Sequence, residues 1–400
     1  MQFRPVLVAT LLALWAQPMA MQAQDVDSGA YLAARVAGAD SDYREAARWF
    51  TRAMIADPAD MSLMQGAIDA QIGAGNLSAA IAIAAKLKAT GTNWPTAEVM
   101  IIADEAQRED FAALQANPKD GRTGAMLLDG LVKAWAELGT GQMSEALDAF
   151  DAMGKTEGLK GFALFHKALA LASVGDFEGA EEIMSGEAAG AIGALRRGII
   201  AHVQILSQLE RNPDAIALLD QSFPGDTDPA LQSLRARLEA GEAVPFDMVR
   251  NVKDGLAEVF FTLGLFLNGE AADAFTLQYA RVAMYLRPDH VEAILLAGAM
   301  LENLKQFDLA NAAYAVVPQN EAGYFAAEVG RARALQGAGK LDAALEVLTS
   351  QTRAAPQQLP VHLALADMLR GEERWPEATA AYDAAITLIP QPAPPGYWPV

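Results

Sequence analysis

The chain has 400 residues, of which 52% are hydrophobic but only 7% aromatic, and its formal net charge is −20. One compact core rarely extends over so many residues, so several domains or a repeating architecture is expected. The acidic balance argues against nucleic-acid binding and electrostatic membrane docking, and the absence of cysteine excludes disulfides, thiolate metal sites and cysteine nucleophiles.

Residues 1–23 are predicted to be a secretory signal peptide. Arg4 gives a basic start, residues 6–15 form an unbroken apolar run, and Pro18 is followed by the small residue Ala20. A run of this length is too short to span a bilayer, which takes about 20 residues, so export is favoured over a membrane anchor. No later stretch is long and apolar enough to cross a membrane. We therefore expect an exported protein, periplasmic or envelope-associated in a Gram-negative bacterium, with its cleavage site left open.

Residues 24–241 are predicted to form an N-terminal array of about six helix pairs. Similar segments recur about every 34 residues, each with an apolar, mostly small, anchor residue, and in all but the last a bulky apolar residue lies three places before the anchor. The anchors are Ala46, Ala80, Leu114, Ala146, Ala180 and Ala215. Larger apolar residues lie four places after an anchor, at Phe50 and Phe150, and Pro58 lies twelve places after the first. This period predicts two helices and a turn per unit.

The rhythm breaks after Ala215, because the next anchor, Thr276, lies 61 residues further on. Residues 229–240 are predicted to be a helix within a degenerate unit. Residues 242–253 follow Gly241 and contain Pro245. They are predicted to be an interrupting loop and the best candidate hinge.

Residues 254–390 are predicted to form a C-terminal array of four pairs, with anchors again 34 residues apart. These anchors are Thr276, Ala310, Ala344 and Ala378. Small residues twelve places before them would let two helices approach closely; they are Gly264, Gly298, Ala332 and Ala366. Bulky residues follow an anchor by four places and prolines by twelve, namely Tyr314, Tyr382, Pro288, Pro356 and Pro390. Residues 391–400 are either a Pro-rich tail or the start of a further unit.

The period, the small residues at helix crossings and the terminal prolines together resemble the tetratricopeptide repeat, over essentially the whole mature chain. The resemblance implies an all-α fold, a right-handed superhelical solenoid of antiparallel helix pairs, and a protein-binding role. With the signal peptide and the interruption, the segment 255–289 is also similar to exported repeat proteins of bacteria.

No pattern in the sequence predicts a catalytic residue, a cofactor site or a metal site. Residues 337–340 look like the end of a phosphate-binding loop, but Ala334 stands where that loop needs glycine, so an inter-helix turn is predicted. The four histidines lack partners at metal-ligand spacing and are interpreted as helix-surface residues. We therefore expect neither enzyme activity nor a cofactor.

The resemblance also implies that first helices line a concave wall. The side chains placed there are apolar, and the candidate partner-binding groove consists of Leu128, Leu131, Trp135, Leu138, Phe162, Phe165, Leu169, Phe261 and Leu265. Such a groove would suit an amphipathic helix or a hydrophobic peptide of a protein partner. The alternative is that a tightly wound superhelix buries these residues against its own next turn.

The leading hypothesis is a non-catalytic periplasmic scaffold or adaptor that binds client proteins on this wall. One alternative is a structural component that self-associates through its C-terminal edge. A less favoured alternative is an accessory subunit of an enzyme complex.

Overall fold

The computed structural model describes residues 27–116, 121–186, 193, 195–224, 228–321 and 323–389. Over these residues the protein consists of 21 α-helices without a β-strand. The predicted signal peptide, Pro390 and the tail 391–400 lie outside the described residues. Within the described part, no helix combines the length and the apolar character that crossing a bilayer requires.

The first six helix pairs form the N-terminal array. They are α1 (Ser28–Ala39) with α2 (Tyr43–Ala56), α3 (Met61–Ala74) with α4 (Leu77–Ala89), α5 (Pro95–Gln107) with α6 (Phe111–Gln115), α7 (Met126–Gly139) with α8 (Met143–Gly154), α9 (Lys160–Ser173) with α10 (Phe177–Met184), and α11 (Arg196–Gln208) with α12 (Asn212–Ser222). Each helix packs against its pair partner and, in most cases, against the following pair.

A lone helix, α13 (Pro229–Glu239), follows, and four pairs complete the chain. These are α14 (Val252–Leu267) with α15 (Asp273–Leu286), α16 (Val291–Asn303) with α17 (Phe307–Tyr314), α18 (Tyr324–Gly337) with α19 (Leu341–Ala354), and α20 (Leu359–Gly371) with α21 (Trp375–Thr387). The predicted all-α solenoid of helix pairs, the architecture typical of tetratricopeptide repeats, is confirmed.

Short polar turns separate the helices. Aspartate side chains accept hydrogen bonds from the first-turn amides of several helices, as Asp42 does from Glu45 and Asp176 from Gly179, which satisfies donors that a helix start leaves open. Gly339 adopts φ +74° in the turn between α18 and α19, a conformation that favours glycine. The segment 337–340 is thus an inter-helix turn.

The repeat residues occupy the crossings between helices. The alanine anchors are buried, as are Phe50, Phe150 and Tyr314. The Tyr314 ring packs between Gly298 and Gly330, where an added Cβ would come within 2.4 Å and 2.5 Å of ring atoms respectively. This crossing gives the 34-residue period a physical basis, since the Tyr314 ring needs glycine on the first helix of its own unit and on that of the next.

The solenoid closes on itself. Helix α14 packs against α7 and α9, while α15 packs against α3 and α5, all first helices of the N-terminal array. A single hydrophobic core extends from Tyr43 to Ala334, and Arg281 on α15 donates a hydrogen bond to the Gly73 carbonyl on α3 (3.3 Å). The C-terminal array thus begins against the inner wall of the N-terminal array.

The segment between α13 and α14 is held on both sides. The Val244 amide donates to Ser207 Oγ (2.9 Å) and Gln208 Nε2 donates to the Val244 carbonyl (2.6 Å), both on α11. Arg287, directly after α15, donates to the Met248 carbonyl (2.6 Å). Val244 and Met248 are themselves buried. These contacts do not favour the predicted hinge, because bending here would break bonds to both arrays.

Candidate functional site

Seven of the nine predicted groove residues are buried. They are Leu128, Leu131, Trp135, Phe162, Phe165, Leu169 and Phe261. Leu138 and Leu265 are partly buried. The cause is the closure of the solenoid: α14 covers the wall formed by α7 and α9. The alternative left open by the sequence, burial against the chain's own next turn, applies to most of this wall.

Trp135 is a core residue, so its prediction as an exposed groove residue is wrong. Its ring packs against Gly255 of α14, where an added Cβ would come within 2.4 Å, and it is 0% exposed. Its Nε1 donates to Nδ1 of His166 (3.2 Å). Because Nδ1 accepts this bond, the proton of the neutral imidazole is on Nε2. His166 is itself buried, so its interpretation as a helix-surface residue is also wrong. This burial lowers the pKa of His166 to about 4.

Three of the predicted residues meet in a cavity. Phe165, Phe261 and Leu265 line a pocket of about 330 Å³ where α9, α11, α14 and α16 come together. Leu195, Leu295 and Leu296 complete most of its apolar wall. We call this space the junction pocket, since it lies between the last first helix of the N-terminal array and the start of the C-terminal array.

An ion-pair network forms the polar wall of the junction pocket. Arg197 on α11 donates through Nε to both oxygens of Glu258 on α14 (2.9 Å each) and through Nη1 to Glu292 on α16 (2.9 Å). Glu258 is 0% exposed. Burial by itself raises the pKa of Glu258, but the Arg197 charge and the nearby His290 hold it well below its usual range. A buried carboxylate so placed is ionised and paired.

His290 lies beside the network as a neutral imidazole. Its Nδ1 accepts a bond from the Ala293 amide at the start of α16 (3.2 Å), which leaves the proton on Nε2. That nitrogen lies 3.2 Å from Glu258 Oε1. Burial and the neighbouring Arg197 charge lower the pKa of His290. Arg197 thus engages both carboxylates and His290 supports one of them, an arrangement that joins α11, α14 and α16.

A longer groove continues from the junction pocket. It encloses about 710 Å³ and shares Arg196, Arg197 and Glu292 with the pocket. It runs between α11 and α13 on one side and the first helices α16, α18 and α20 on the other. Amide side chains line it, namely Gln204, Gln319, Asn320 and Gln358. We call this space the amide groove. Gln204 is bonded to Asp247 and Met248, whereas Gln319 and Asn320 offer both donors and acceptors to an extended chain.

The sequence did not reveal the network or the amide groove. Arg197 and Glu258 are 61 residues apart and belong to no motif. One signal was present: Glu258 is a charged residue in an otherwise apolar helix segment, and such a residue is seldom fully buried without a partner. Among the described residues, no group of three or more His, Asp or Glu side chains could hold a metal ion.

No protein-family model matches the sequence, and the search of curated proteins gives no match. Several solved structures are similar in fold type. One is the MamA RS-1 ArsTM double mutant, with 16% identity over 48% of this chain and 92% of that chain and a TM-score of 0.29. Another is yeast Tom70, with 14% identity over 90% of this chain and 85% of that chain and a TM-score of 0.29. A third is the APC/C hetero-tetramer Cut9–Hcn1, with 12% identity over 90% of this chain and 78% of that chain and a TM-score of 0.31. At these TM-scores the superpositions are loose, so the repeat architecture rests on the helix pairing described above.

Proposed function

We propose that the protein is a non-catalytic scaffold that binds protein clients on its inner wall. The observation that supports this most directly is the pair of adjoining spaces, the junction pocket and the amide groove, lined mainly by first helices of successive pairs. Apolar walls followed by amide side chains suit a peptide segment, which carries both apolar side chains and backbone hydrogen-bonding groups.

The charged residues of this wall support binding over chemistry. Glu258 and Glu292 both accept from Arg197, and Nδ1 of the buried His290 accepts from the Ala293 amide. Groups engaged in this way hold helices together. A general acid or base would need a free oxygen or nitrogen facing a substrate.

Site-specific cross-linking tests the scaffold. A photoreactive benzoylphenylalanine at Ser233, which lines the amide groove, is expected to capture a client protein in the source cells. The same residue at Glu346, an exposed position on α19, is the matched control. Equal capture at both positions, or none at Ser233, contradicts client binding in the groove.

The proposed location is the periplasm or envelope of a Gram-negative bacterium, on the basis of residues 1–23. Cell fractionation with N-terminal sequencing tests it. Mature protein in the periplasmic or envelope fraction, beginning near residue 24, is the expected result. Full-length protein with its leader in the cytoplasm would contradict export.

A second candidate is self-association, which one observation favours. Trp375 and Ile386 on α21 are 58% and 49% exposed and lie eleven positions apart, on the same side of the helix. Sedimentation velocity at rising concentration tests it, with a Trp375→Ser, Ile386→Ser variant as comparison. A mass independent of concentration would rule this candidate out.

A further inference from the structure

We propose that the junction pocket receives one large, uncharged apolar side chain of a client peptide whose backbone continues into the amide groove. This inference rests on the proposed scaffold function and specifies the chemistry of its partner. The pocket has a local cause: α13 lacks a pair partner, so α11 and α14 are not joined by a regular unit. The space between α9, α11, α14 and α16 therefore stays unfilled.

The walls of the pocket favour an apolar occupant. Phe165, Phe261, Leu265, Leu295 and Leu296 surround a volume of about 330 Å³, within the usual range for ligand pockets. At roughly 30 Å³ per molecule, that volume corresponds to about ten waters. Most of them would face carbon atoms, and water so placed is displaced favourably by an apolar group.

The charges of the wall favour an uncharged occupant. Arg197 lies against Glu258 and Glu292, and Arg287 lies 3.9 Å from Glu258, so the two carboxylates and the two guanidinium groups compensate one another. A carboxylate or ammonium group entering the pocket would lose its hydration without gaining an unpaired counter-charge. A fatty acid or an anionic headgroup is therefore a poor fit, whereas leucine, phenylalanine and tryptophan side chains meet this requirement.

Continuity with the amide groove favours a peptide over an isolated small molecule. The two spaces share Arg196, Arg197 and Glu292, so they adjoin along this wall and one peptide can contact both. Gln319 and Asn320 line the amide groove and can bond backbone amides and carbonyls. Leu195 of the pocket wall is 39% exposed, an apolar surface that a bound peptide would cover.

Side-chain analogues test the pocket with the full chain. Ligand-observed NMR would compare N-acetyl-leucinamide and N-acetyl-tryptophanamide with N-acetyl-aspartate amide and octanoate. The leucine and tryptophan compounds are expected to bind, and a Leu295→Trp substitution that fills the pocket should weaken them about tenfold or more. Val316→Trp, at an exposed position outside the pocket, should leave binding unchanged.

Each other outcome overturns the proposal. Absence of binding by both apolar amides, or equal binding in Leu295→Trp, would show that the pocket takes no such side chain. Octanoate binding as well as the amides, with the same sensitivity to Leu295→Trp, would identify a free amphiphile as the occupant. Leu265→Trp on the facing wall repeats the test if circular dichroism shows that Leu295→Trp is misfolded.

The scaffold function and the pocket assignment can be tested separately. If Ser233 cross-linking still captures its client in the Leu295→Trp variant at an unchanged level, the scaffold stands and the pocket assignment falls. If the amides bind but no client is captured at Ser233, the pocket stands and the scaffold falls.

Discussion

Two stretches of the inner wall are similarly apolar, but one is buried in the core and the other lines a pocket. Around Trp135, first-helix side chains are covered by α14 and belong to the core. Around Leu265, side chains at comparable repeat positions line the junction pocket. The difference comes from the packing of later helices. Helix α14 covers the first stretch, whereas the unpaired α13 leaves the space beside the second stretch unfilled. Apolar first-helix positions in a closed solenoid therefore do not by themselves identify a binding surface.

The largest expected effect comes from the network that joins the two arrays. Arg197→Ala would leave Glu258 buried without its counter-charge, which costs about 3–5 kcal/mol of unfolding free energy. Arg235→Ala is the matched control, because the Arg235 pairs with Asp220 and Glu239 are exposed and such pairs contribute about 0–1 kcal/mol. Urea denaturation measures both. Equal losses would mean that the network does not hold the arrays together.

Paired leucine truncations compare the two stretches directly. Leu169→Ala, in the covered wall and fully buried, should cost about 2–5 kcal/mol because it creates a cavity. Leu265→Ala, in the partly buried pocket wall, should cost roughly 1 kcal/mol, since it removes less buried surface. A cost for Leu265→Ala equal to that for Leu169→Ala would mean that the pocket is packed shut in solution.

Acid should weaken the covered stretch through His166. The folded pKa of about 4 lies below the unfolded value of about 6.5, so the unfolded chain binds the proton first as pH falls. His166 should therefore reduce stability by about 1.4 kcal/mol per pH unit between pH 6.5 and 4. Urea midpoints at pH 7, 6 and 5 measure this, against a His166→Gln variant that lacks the titrating ring. Parallel pH profiles for the two proteins would contradict the buried position of His166.

A single added methyl group tests the contact between α7 and α14. Gly255→Ala would place a Cβ within 2.4 Å of the Trp135 ring, and such overpacking costs about 1–3 kcal/mol. Gly371→Ala on α20 is the control, because nothing lies within 4 Å of its added Cβ, and alanine should be neutral or slightly stabilising there. Thermal melts distinguish them. A melting temperature unchanged by Gly255→Ala would place α14 elsewhere.

The repeat itself could be predicted from the sequence because it is local. Anchors such as Ala310 and ring positions such as Tyr314 recur at a fixed interval, and the glycines that receive the Tyr314 ring are in its own unit and in the next. The closure could not be predicted in this way. It depends on contacts between α14 and α7, more than 100 residues apart, and Gly255 reads in the sequence as an ordinary helix residue.

The candidate site shows the same limit. Phe165, Phe261 and Leu265 were singled out from the sequence as groove residues, but their grouping into one pocket depends on the unpaired α13. Arg197 was missed because its partners, Glu258 and Glu292, lie in the other array. Long-range ion pairs leave no periodic signal in a sequence.

Zero-length carbodiimide cross-linking of the unaltered chain tests the closure most directly. Lys253 Nζ on α14 lies 3.6 Å from Glu109 Oε1, which follows α5, so mass spectrometry of dilute protein should find an amide link between residues 109 and 253. A link between Lys340 and Asp308, 2.7 Å apart within the C-terminal array, should form whether or not the solenoid closes and is the internal control. Both links together are the expected result. The 308–340 link without the 109–253 link would contradict a solenoid closed on its own inner wall.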